Sequence, residues 1–92
     1  MATPISARGA LATTDTTLES TPQHRYIRVT FHNVGALTRT VTYKISTTQR
    51  ALFQLGPQEI KTIGPDLMAS GINPIASQDL GSDVNYHVTG EF

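Results

Sequence analysis

The feature that most constrains this chain is a period of two. From about residue 14 onward, apolar and polar side chains alternate almost everywhere, which is the pattern of strands with one buried face. In residues 24–32, Ile27, Val29 and Phe31 share one face while Tyr26, Arg28, Thr30 and His32 share the other. Residues 39–47 repeat the scheme, with Val41, Tyr43 and Ile45 set against Thr40, Thr42, Lys44 and Ser46. The intervening Asn33, Val34, Gly35 and Ala36 supply turn residues, so the two segments are predicted to form a hairpin.

Further along, Ala51, Phe53 and Leu55 alternate before Gly56, Pro57 and Gln58 break the run. Residues 59–63 resume as a short strand, and 67–69 and 72–77 read as short extended pieces between Gly and Pro punctuation. Pro74 lacks a backbone donor, which places its segment at a sheet edge or a strand start. The closing segment carries Val84, Tyr86 and Val88 on one face. Only residues 65–71, with Pro near the start and Gly at the end, leave room for a helical turn. The fold class expected is all-β, a single antiparallel β-sandwich (jelly-roll or immunoglobulin-like) of about seven or eight short strands.

Residues 1–14 differ from the rest: they are small and polar, with Pro4 and Gly9 interrupting any regular pattern. The chain is therefore divided into an extended N-terminal arm, residues 1–14, and a sandwich domain, residues 15–92. The arm is expected to lie on a neighbouring subunit, with Pro4, Ile5, Arg8 and Leu11 as candidate assembly contacts. A chain of 92 residues buries only about 60 to 65% of its unfolded surface. With no cysteine to cross-link it, self-association is a natural source of added stability.

Seven basic and seven acidic residues cancel, and no basic cluster suited to a run of phosphates is present, so nucleic acid is not an expected partner. Apolar runs fall far short of the roughly 20 residues that span a bilayer, and no export signal is expected at the N-terminus. Three histidines raise the question of a metal site. His24 and His32 stand at opposite ends of one strand, about 26 Å apart by strand rise, which leaves a pairing of His87 with one of them, and no carboxylate has ligand-like spacing, so neither metal nor cofactor is expected. Asp15, Asp66, Asp79 and Asp83 read as turn residues, and Glu19, Glu59 and Glu91 as belonging to separate strands. No enzymatic activity is expected. Tyr26, Arg28, His32, Tyr43 and His87 could form an aromatic and basic face, with Tyr43 also readable as core.

The order of features resembles a small β-sandwich that recurs in tailed-bacteriophage virion proteins. The resemblance rests on Thr16, Thr17 and Leu18 leading to Pro22; the long strand ending in Asn33; and Arg39, Thr40, Val41 and Thr42. It continues through Leu55, Gly56, Pro57, Gln58 and Glu59, then Leu67 to Gly71, and ends with Val84, Asn85, Val88 and Gly90. Gly71, Ile72, Asn73 and Pro74 depart from the Gly-Asp often found there. The resemblance implies a non-enzymatic structural protein, a capsid decoration or cement protein on the outer surface of the virion. Its partners would be the major capsid protein and other copies of itself, with a homotrimer implied. The same group includes tail, fibre and head-fibre modules, for which the partner would be a host glycan or another virion protein. Neutral net charge suits an outer-shell position.

Overall fold

A computed structural model describes residues 3–92. Among them there is no helix. Eight strands run in order: β1 Pro4–Ala10, β2 Thr16–Thr17, β3 Arg25–Asn33, β4 Arg39–Ile45, β5 Thr48–Leu55, β6 Ile60–Met68, β7 Pro74–Gln78 and β8 Val84–Glu91. They form two four-stranded antiparallel sheets, ordered β1-β8-β3-β6 and β2-β7-β4-β5. This is the expected β-sandwich. Its alternation is cleanest in β3, where Ile27, Val29 and Phe31 are buried and Tyr26 and Arg28 are exposed.

The expected hairpin between β3 and β4 does not form. These strands lie in different sheets, and β4 pairs with β5 and β7 instead. Their apolar faces cover one another across the sandwich. Phe31 meets Tyr43 edge-on at 5.7 Å between ring centres, and Phe53 at 5.5 Å. Asn33 turns the chain from one sheet to the other. Its buried side chain donates to the carbonyls of Leu37 (2.7 Å) and Leu55 (3.0 Å) and accepts from the Gly35 amide (2.9 Å).

Residues 3–14 also depart from expectation. Pro4–Ala10 is not an arm reaching a neighbour but strand β1 of the same sandwich, paired along its length with β8. Thr3 and Phe92 exchange backbone hydrogen bonds of 2.6 and 3.0 Å, which ties the two ends together. Ile5 and Leu11 are buried in the chain's own core, whereas Pro4 and Arg8 are exposed. The physical cause is that β8 lies inside the sheet, with β3 on one side, and needs a partner on the other. Met1 and Ala2 lie outside the described residues. The helical turn considered for residues 65–71 is absent as well, since β6 continues to Met68. Pro65 is accommodated because β6 is an edge strand with a register shift opposite Arg28. Pro74 is the first residue of β7.

Polar residues close the two ends of the core. At one end Arg25, fully buried, pairs with Glu19 at 2.7 Å and donates to the Gln23, Ala69 and Ile72 carbonyls and to Asn73 Oδ1. At the other, Arg39 pairs with Asp83 at 2.8 Å. Gln78 Nε2 donates to the Leu11 carbonyl at 2.6 Å.

Candidate functional site

Two surfaces stand out once the strands are placed. The first is a sheet edge. A sandwich of two open sheets has four edge strands, and natural proteins blunt such edges against unwanted pairing. Here β1 begins with Pro4 and contains Gly9, β2 is two residues long, and β6 is interrupted by Gly64 and Pro65. Strand β5 is different. Beyond a register shift at Arg50, residues 51–55 form a run without Pro, Gly or charge, and Leu52 is 58% exposed on it. Phe53 is half-buried beneath, with Lys61 Nζ 5.5 Å from its ring centre.

The second surface is the outward face of the β1-β8-β3-β6 sheet. The register sets Arg8 beside His87 and His87 beside Thr30 in one cross-strand row, and Asn85 beside His32 and His32 beside Ile60 in the next. Opposed side chains in such rows stand about 5 Å apart. Arg8, Thr30, His32, Ile60, Asn85 and His87 border a shallow depression of about 460 Å³. Ser6 Oγ lies 3.2 Å from His87 Nε2, which orients the ring. A second depression of about 400 Å³ is bordered by Tyr26, Arg28, Pro65, Thr89 and Glu91.

The charges are distributed unevenly. Of seven Lys and Arg residues, Arg25, Arg39, Lys44 and Arg50 pair with Glu19, Asp83, Asp15 and Asp66. Lys61 rests over Phe53. That leaves Arg8 and Arg28, which make no ion pair with any described residue, and both lie on this one face. Set against Glu91 beside Arg28, this leaves the face of a chain neutral in total with a small excess of positive charge, at its Arg8 end.

The residues singled out in the sequence fall in several places. Tyr26, Arg28, His32 and His87 do share the outer face, but Tyr26 stands opposite Glu91 and His87 opposite Thr30, so the two rings belong to separate depressions. Tyr43 is fully buried and belongs to the core, where burial, reinforced by Asp66, holds its hydroxyl well above the ordinary tyrosine range. His24 lies just before β3 and accepts from the Ser70 amide at 3.3 Å. Among the described residues no group of His, Cys, Asp and Glu is arranged to hold a metal ion.

Asp15, Asp66 and Asp83 each serve an ion pair, and Asp79 accepts from the Thr40 amide. Asp66 lies within β6 rather than in a turn, and Glu19 and Glu59 lie in connections rather than strands. Of the four assembly contacts expected, Ile5 and Leu11 serve the interior and only Pro4 and Arg8 are available at the surface. Arg8 is brought to this outward face by its position in β1, a segment whose Pro4 and Gly9 make it look irregular in sequence. The β5 edge is not legible in the sequence, because edge position is a property of strand order, which alternation does not encode. Comparison with known proteins finds no family model that matches the chain and no curated protein that matches it.

Proposed function

We propose that the protein is a non-enzymatic virion structural component, a capsid decoration protein that stabilises a head by bridging neighbouring subunits. The observation that carries this reading is the β5 edge. An open run of five residues, 51–55, with an exposed Leu52 offers unpaired backbone groups to a strand from another chain. The contact formerly expected of an N-terminal arm passes to this edge. A neighbour docked there would gain main-chain hydrogen bonds and cover Leu52. Repeated over symmetric copies, such modest contacts add up to firm attachment. The partners are the major capsid protein and other copies of the chain, with a trimer the oligomer that the family resemblance implies.

Mass spectrometry of purified particles, combined with a Leu52→Lys variant, tests this. The chain should be found on particles, and the variant should be lost from them while its circular dichroism spectrum stays unchanged, because Leu52 is exposed. Particles lacking the chain would refute decoration. A variant that decorates as well as wild type would refute the edge.

A further inference from the structure

We infer that the outward face of the β1-β8-β3-β6 sheet binds an acidic saccharide, a carboxylated or sulfated sugar seated in the depression bordered by Arg8, His32, Asn85 and His87. This goes beyond attachment to a capsid and uses a different surface from the β5 edge. The charge of the ligand follows from pairing. Arg8 and Arg28 are the two Lys or Arg side chains left without an ion-pair or aromatic partner among the described residues, and the register gathers them on this face with His32 and His87. Arginine presents planar donors that suit a carboxylate or sulfate.

The hydroxyl-rich body of the ligand follows from the neutral groups between those cations. Ser6, Thr30, Asn85 and Thr89 stand on the same face, where each can both donate and accept. At about 460 Å³ the depression is of a size usual for small-molecule sites. Exposed Ile60 gives it one apolar wall against which a sugar ring can rest.

Two features narrow the ligand further. Glu91 is the carboxylate on this face, at its far end beside Tyr26 and Arg28. It disfavours a second anion there, so the charged group of the ligand goes to the Arg8 side. Two unpaired cations are also too few to hold a nucleic-acid strand, because each phosphate contact contributes only about one unit of salt slope. Tyr26, an exposed ring on this face that could stack on a base, stands away from His87 in its own depression.

Calorimetry and amide chemical-shift mapping on the isolated protein provide the test. The probes are a sialylated trisaccharide and a sulfated disaccharide, with lactose, inorganic sulfate and an oligothymidylate as comparisons. Binding of either acidic sugar is expected, with the largest shifts at Arg8, Thr30, Asn85 and His87. Arg8→Gln should weaken it about tenfold and Arg28→Gln less, while Lys44→Gln, on the opposite sheet, should leave it unchanged. Equal binding of lactose would overturn the anionic requirement. Equal binding of inorganic sulfate would overturn the saccharide. Tighter binding of oligothymidylate, an unaltered Arg8→Gln variant, or no binding of either acidic sugar would overturn the site.

Discussion

Replacing Arg25 with Met tests whether a buried ion pair holds the loop end of the sandwich. The guanidinium has five N–H donors, and all of them are engaged: Nε on both Glu19 oxygens, Nη1 on the Gln23 and Ala69 carbonyls, and Nη2 on the Ile72 carbonyl and Asn73 Oδ1. Methionine fills much of the same volume but leaves a buried carboxylate with no cation and three carbonyls with lost donors. Breaking one partner of a buried pair costs about 3 to 5 kcal/mol. A domain of this size holds only about 5 to 14 kcal/mol in all, and its melting temperature moves roughly 5 °C per kcal/mol.

Arg25→Met should therefore melt roughly 15 to 25 °C below wild type. Because the chain has no Trp, far-ultraviolet circular dichroism is the suitable signal, followed through thermal melts for the shift and a urea titration for the free energy. The double variant Glu19→Leu with Arg25→Met removes both charges together and should be less destabilised than the sum of the single changes by at least about 1.5 kcal/mol. A loss below about 1 kcal/mol for Arg25→Met, or strict additivity in the cycle, would show that the pair behaves as an exposed one and refute the reasoning.

Three further outcomes follow from the packing. Tyr43→Phe removes a buried hydroxyl that has no hydrogen-bond partner among the described residues, so stability at neutral pH should hold or rise by up to about 1 kcal/mol. Since the folded state keeps that hydroxyl protonated above its ordinary range, the unfolded chain loses its proton first; wild type should weaken as pH rises past about 10, by up to about 1.4 kcal/mol per unit, and the Phe variant should weaken less across alkaline urea titrations. Gly90→Ala drives a Cβ against the Tyr26 carbonyl and Ile27 on the neighbouring strand, and thermal denaturation should show a loss of about 1 to 3 kcal/mol. Asn33→Leu forfeits three hydrogen bonds at the crossing between sheets and should cost about 2 to 4 kcal/mol in the same assay.

Alternation made the layers of this fold legible. The parity of Ile27, Val29 and Phe31, of Val41 and Tyr43, and of Val84 and Val88 marks the side chains that meet in the core. Strand partners were less legible, because a face that must be covered can be covered by any sheet opposite, and a loop such as residues 34–38 suits a hairpin or a crossing equally well. The N-terminal strand was missed because Ile5 and Ala7 alternate too weakly to outweigh Pro4 and Gly9. The buried polar groups carried a readable signal: Arg25 and Asn33 share the parity of Ile27 and Phe31, as Arg39 shares that of Val41. A charged or amide residue in core phase at a strand end announces a plug. The basic face was partly legible through Tyr26, Arg28, His32 and His87, but Arg8 joined it only through pairing of the first strand with the last.

Those plugs also act as a ruler. A strand with period two can slide by two residues and still present an apolar face, so hydrophobic patterning alone leaves β3 several registers to choose from. With Arg25 at one end and Asn33 at the other, sliding in either direction would draw a guanidinium or an amide into the site of Ile27 or Phe31, away from its partners. Burying the unpaired guanidinium would cost several kcal/mol and the amide a few, each a large share of what a domain of this size holds. The residues least like a hydrophobic core are thus the ones that permit only a single alignment of it.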